Sequence, residues 1–158
     1  MTHPSFSTLP RSGPSGLPSA WGVWGDADQL GTWNHVTEAS TVEAAREIRR
    51  GARFNLDLPL HMPYALLGGS GFMTRRAPAH ALLEENYHSL YIRDDKLDEF
   101  YLQASSQWDG LTHIGTPQCG FYNGVRPDQL TLDDDTRNGI EHVAELAVAT
   151  RGVVNDVP

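Results

Sequence analysis

Cysteine is almost absent from this chain: of 158 residues only Cys119 carries a thiol, which excludes a disulfide framework and a cysteine-ligated zinc ribbon. Basic residues are also scarce. Twelve Lys and Arg stand against twenty Asp and Glu, and the formal charge of -8 argues against a nucleic-acid surface, where a basic patch would be needed. Arg49-Arg50 and Arg75-Arg76 are isolated pairs and do not build one. No stretch approaches the apolar length of a transmembrane helix, and the N-terminus lacks the apolar run of a signal peptide. The expected compartment is the cytoplasm, with neither nucleic acid nor membrane as partner.

What is present is an ordinary globular composition, 39% apolar and 20% charged, in a length that suits one domain with a modest core. Residues 2–20 hold four prolines, five serines and two glycines, a mixture that buries too little apolar surface to offset its ordering entropy. Residues 1–20 therefore read as a flexible arm, either inert or laid over a site, and 21–158 as the folded domain. Ser40 and Glu43 form a capping-box pattern, with Val42, Ala45 and Ile48 at helical spacing and Gly51 as a stop. Phe54, Leu56, Leu58 and Leu60 then alternate with Asn55, Asp57 and Pro59, predicting a strand with one buried face.

Residues 61–81 are rich in Gly and Pro around Gly68-Gly69-Ser70-Gly71 and predict a loop that lacks the Gly-Lys-Ser/Thr ending of a phosphate-binding turn. Residues 99–103 predict a short strand, with Phe100 and Leu102 on one face. Near the C-terminus, Asp133-Asp134-Asp135 reads as an acidic cap on a helix from about residue 137 to 150, whose apolar face carries Ile140, Val143, Ala144 and Ala147.

The chemistry is concentrated between Gln103 and Gly124. Asp109 and His113 are four residues apart, so a helical turn between them would place a carboxylate and an imidazole side by side. Such a pair suits either a divalent cation or a general base with its orienting acid. Trp108, Phe121 and Tyr122 flank it with apolar surface carrying polar tips, as a small-molecule pocket requires. Gly110, Gly115, Gly120 and Gly124 imply tight turns, hence a loop rather than a long regular element. Cys119 lies near His113 in sequence and is a candidate nucleophile or an inert thiol.

The segment running Gln103-Ala104-Ser105-Ser106-Gln107-Trp108-Asp109-Gly110-Leu111-Thr112-His113 resembles the signature His-x-Gly-Thr-His-x-Asp-x-x-x-His of the cyclase, or kynurenine formamidase-like, family of metal-dependent hydrolases. Gln103 and Gln107 take the places of two histidines, while Asp109 and His113 match. A second register, starting at His113-Ile114-Gly115-Thr116, sets Pro117, Cys119 and Asn123 on ligand positions and keeps one ligand only. Phe121-Tyr122-Asn123-Gly124 and Trp24-Gly25-Asp26-Ala27-Asp28-Gln29-Leu30-Gly31-Thr32-Trp33-Asn34 are similar to two further stretches of the longer branch of that family.

The resemblance implies an α/β chain with the swivelling β/β/α-type cyclase fold, incomplete at its C-terminus. It implies arylformamidase-type hydrolysis, as in tryptophan catabolism, with zinc or manganese held by Asp109, Gln107 and Gln103, and with His113 and Asp109 as catalytic residues. Trp108, Tyr122 and Asn123 are the expected substrate contacts. Glutamine offers a neutral carbonyl oxygen in place of an imidazole, which favours oxygen-tolerant cations over zinc.

Two functions follow. One is a hydrolase or cyclase acting on an aryl formamide, lactone or cyclic amide, with His113 as general acid/base. The other is a noncatalytic module that keeps the fold, has lost the metal and binds a small ligand or a subunit. A homo-oligomer is compatible with either.

Overall fold

The computed structural model describes residues 4–12, 16–62, 75–132 and 136–154. It is a mixed arrangement of short helices and antiparallel strands that divides into two compact units, residues 1–52 with 109–158, and residues 53–108. The Gly68–Gly71 loop centre and the Asp133–Asp135 cluster lie outside the described residues.

The first unit begins with a small antiparallel pair, β1 (Arg11–Ser12) and β2 (Leu17–Pro18), in which Arg11 faces Pro18 and Ser12 faces Leu17. Ser19 N–H extends the pairing to Pro10 O at 2.8 Å. Helix α1 (Glu38–Ala45) starts three residues before the position predicted from Ser40 and Glu43. The reason is local. Thr37 has extended backbone and caps the helix, accepting from Ser40 N–H, while Ser40 Oγ accepts from Thr37 N–H in return.

Beyond Ala45 the backbone bonds tighten: Arg46 and Glu47 N–H reach back three residues, to Glu43 and Ala44 carbonyls. The helix therefore ends before Ile48 can join its face, and Val42 and Ile48 are exposed.

Near the other end of the chain, the predicted helix over 137–150 is reduced to α2 (Glu141–Glu145). Asn138 (φ 62°) and Ala147 (φ 49°) both occupy the left-handed region, and each breaks the helical backbone. Val143 is buried as its spacing predicted, and Val125 joins it. Buried with them is one polar residue, Asn138, with no exposed surface.

The second unit is dominated by a hairpin of β3 (Ala79–Tyr87) and β4 (Leu90–Asp98), paired along its whole length from Ala79 opposite Asp98 to Tyr87 opposite Leu90. This hairpin was not expected from the sequence. Its turn, His88-Ser89, holds His88 at φ 55° without the glycine or asparagine that marks such turns. The strand predicted over 99–103 is absent, because Glu99 (φ 54°) reverses the chain at the end of β4 and Leu102–Ala104 form a 3-10 turn.

The strand predicted over 54–60 is likewise absent. Serine side chains take over its backbone partners: Leu58 N–H donates to Ser106 Oγ at 2.9 Å, and Ser105 Oγ donates to Pro59 O at 3.0 Å. Asn55 Oδ1 accepts from Asp57 N–H at 2.9 Å, a local turn that competes with a ladder. With no sheet to face, Phe54 and Leu56 are 78% and 83% exposed instead of buried.

Glycines set the closest approaches in the first unit. A Cβ on Gly110 would lie 2.8 Å from Ile140 N and 3.0 Å from Asn138 O, both backbone atoms that have nowhere to move. Gly110→Ala should cost about 1–3 kcal/mol by overpacking, read as a lowered urea midpoint. Gly152→Ala, whose added methyl meets nothing within 4 Å, should leave the midpoint unchanged or slightly raised.

Candidate functional site

The glycine-rich stretch is irregular backbone, as its composition implied. His113 N–H donates to Gly110 O at 3.1 Å, so residues 110–113 make a single turn instead of a helix. That turn suffices to bring the predicted pair together. His113 Nε2 stands 3.6 Å from Asp109 Oδ2, beyond hydrogen-bond length but within ion-pair range, with the two side chains 26% and 30% exposed.

Beyond the turn, Thr116 and Gly120 exchange two backbone hydrogen bonds of 3.0 and 2.8 Å, folding residues 116–120 into a tight loop. Gly120 is at φ 78°, and a Cβ there would meet Val125 O at 2.5 Å. Gly115 has the same constraint, since its Cβ would meet the Phe121 ring at 2.8 Å.

These turns form one side of a cleft of about 600 Å³ within the first unit. Leu17, Pro18, Trp21, Leu111, Phe121 and Tyr122 supply apolar wall, and Asp109, His113, Thr116 and Cys119 supply polar groups. Residues 17–19, read from sequence as part of an arm, thus contribute to the cleft lining. A volume of this order holds a small organic molecule. Apolar walls with a few convergent polar groups are the usual make-up of such sites.

Behind the cleft lies a carboxylate that sequence reasoning passed over. Asp28 Oδ2 accepts from Tyr122 Oη–H at 2.8 Å and from Gly31 N–H at 2.7 Å, and Asp28 Oδ1 accepts from Asn34 Nδ2 at 2.6 Å. Burial pushes the Asp28 carboxyl upward, but the bonds from Asn34, Gly31, Tyr122 and Leu30 together outweigh it and hold the group below its ordinary value. The Tyr122 hydroxyl moves the other way, raised by burial and then by its bond to the Asp28 carboxylate.

Asn123, at φ 54°, commits its amide to the same region: Oδ1 accepts from Gly22 N–H at 2.9 Å, and Nδ2 donates to Gly25 O and Asp28 O at 3.0 and 3.2 Å. Asn138 completes the set, donating from Nδ2 to Tyr122 O and from its backbone N–H to Gln29 Oε1, at 2.9 and 2.8 Å. The Asp28-Gln29 pair stands in the stretch recognised from sequence. Its only local signal was a short acidic residue shortly before a glycine, a pattern shared with many turns.

The remaining predicted residues belong to the second unit. Gln103 lies in the 3-10 turn, where its backbone carbonyl accepts from Arg75 Nη1, while Gln107 and Trp108 are exposed. One carboxylate, one imidazole and two glutamine oxygens make a donor set poor for zinc, which prefers nitrogen and sulfur ligands. Asp109 and His113 belong to the first unit, Gln103 and Gln107 to the second. Among the described residues, no three His, Cys, Asp or Glu side chains gather where they could hold a metal ion.

Opposite shifts in Asp28 and Tyr122 predict stability that falls at both ends of the pH scale. A lowered Asp28 pKa contributes stability that is complete above the unfolded value of about 3.9 and is lost as pH falls through the folded value. A raised Tyr122 pKa contributes stability that is complete below about 10 and is lost as pH rises toward the folded value. Urea titrations at a series of pH values should show Tyr122→Phe flattening the alkaline limb and Asp28→Ala flattening the acid limb.

No family model and no curated protein matches the chain. Among solved structures, one described as a novel cyclase superposes with a TM-score of 0.65 at 32% sequence identity, over 78% of this chain and 43% of that one. The chain thus spans under half the length of its structural neighbour. At this identity and coverage, the chain is related to a cyclase over most of its own residues.

Proposed function

We propose that the cleft is the site of a cyclase-type hydrolase acting on the carbonyl of a small, largely apolar molecule, with His113 as general acid/base and Asp109 as its orienting anion. The observation that carries this reading is the 3.6 Å Asp109–His113 pair on the wall of an aromatic-lined cleft. The resemblance to a novel cyclase supports the reaction class. Aryl formamides, lactones and cyclic amides are the substrates that combine a ring for Phe121 and Tyr122 with an electrophilic carbonyl.

The chain's own residues supply a simple sequence. Asp109 faces Nε2 of His113 and orients the ring, leaving its other nitrogen for proton transfer. The other ring nitrogen, Nδ1, removes a proton from water as its oxygen adds to the carbonyl carbon, leaving a tetrahedral oxyanion. When the oxyanion collapses, the C–N or C–O bond breaks and the same proton passes from His113 to the departing nitrogen or oxygen. Tyr122 presents its ring, since its hydroxyl is held by Asp28.

A second reading, a noncatalytic ligand-binding module, is supported by the neutral glutamines, Gln103 and Gln107, that stand where the resembled signature has histidines. One set of assays separates the two. On aryl formamides, aryl esters and lactones, His113→Ala should reduce kcat/KM by about 10²–10⁴-fold, the usual contribution of a general acid/base. Asp109→Asn, which keeps a polar group beside the ring, should reduce it less. Absence of turnover on every carbonyl substrate, with aromatic ligands still bound in the cleft, would replace the enzyme with the binding module.

A further inference from the structure

The β3–β4 hairpin of the second unit presents two long edges, and among the described residues neither pairs with another strand. A two-stranded hairpin is marginal in water, and an open edge of this length invites another chain. Leu90 and Tyr91 stand out from β4, Tyr91 with 90% of its surface exposed. We propose that the free edge of β4 is covered by β4 of a second copy of this chain, antiparallel and centred on Asp94, giving a four-stranded sheet across a two-fold axis.

The register follows from the hairpin. Tyr87 and Leu90 flank a two-residue turn and so form a hydrogen-bonded pair. Backbone groups of Leu90, Ile92, Asp94, Lys96 and Asp98 therefore point to β3, and those of Tyr91, Arg93, Asp95 and Leu97 point outward. A two-fold pair that keeps the same face upward must be centred on a single residue. Centred on Asp94, it sets Arg93 opposite Asp95 and Tyr91 opposite Leu97, each twice, so that every pair on that face is matched in charge or in apolar character.

On the other face Asp94 meets its own copy, with Lys96 diagonal to it; that ammonium pairs with Asp98 at 2.9 Å and has two further donors with which to offset the repulsion. Centring one residue further, on Asp95, would set that carboxylate against itself and Arg93 against Leu97.

Within the hairpin Arg93 already pairs with Glu84 at 3.0 Å and Asp95 Oδ1 with His80 at 2.6 Å; the remaining N–H donors of Arg93 and the second oxygen of Asp95 leave room for each other across the axis. The β3 edge offers no such match. It carries Glu84 and Glu85 and has neither lysine nor arginine, so its self-pairing is opposed by charge. Association through β4 alone closes at two copies instead of propagating into a fibre.

Light scattering or sedimentation equilibrium on the full chain should give twice the 17.4 kDa chain mass. R93E and D95R each place like charges opposite one another twice and should weaken the dimer by at least about tenfold. The double variant R93E/D95R restores opposite charges and should recover it. D95P, which removes an outward N–H and leaves the β3 ladder intact, should give a monomer with unchanged circular dichroism. A monomer at all concentrations, a dimer indifferent to the single reversals, or a double variant no better than the singles would overturn the proposal.

Discussion

The cleft depends on one carboxylate, Asp28, which sits behind it and gathers donors from three directions. Its two oxygens take a tyrosine hydroxyl, a backbone amide and an asparagine side chain, drawing residue 122 against the turn at residues 28–34. Such donors replace the water that burial removes and hold the carboxyl below its ordinary value. Removing them one at a time is therefore not additive, because each remaining bond supports an anion that the others also support. The network extends through Asn123 to residues 22–28 and through Asn138 to Gln29, so a polar frame locates the aromatic wall of the cleft.

That frame matters because little apolar surface is buried to do the same task. Among the described residues the buried hydrophobic side chains are Ala104, Val125 and Val143. With so small a core, specificity of structure comes from directional bonds and from backbone packed on backbone at glycine. Hydrogen bonds demand particular partners, whereas apolar contacts tolerate many.

The reach of the sequence is uneven for the same reason. The Asp109–His113 pairing was legible because four-residue spacing survives a change from helix to turn: one backbone bond, from His113 to Gly110, is enough to align the two side chains. Strands were misread wherever alternation was taken for burial. Residues 54–60 alternate well, yet the Leu58 amide and the Leu58 and Pro59 carbonyls are met by Ser105 and Ser106, and no ladder forms. Conversely, the β3–β4 hairpin lacks clean alternation and a glycine turn, and its pairing is a property of two strands together. Asp28 escaped notice because its partners lie at Asn34 and Tyr122, and only the folded chain brings the tyrosine to it.

Gly110, Gly115 and Gly120 line the same cleft and have no space for a methyl group. Their crowding divides the cleft by how freely it can be altered. At those glycines, in and beside the turn that carries Asp109 and His113, any side chain would collide with backbone or with the Phe121 ring. Leu17, Pro18 and Trp21 border the cleft without that restriction. Substitutions at residues 17–21 can accordingly reshape the cleft while the Asp109–His113 geometry stays fixed. The crowded turns and the open border are separately mutable surfaces of a single cavity.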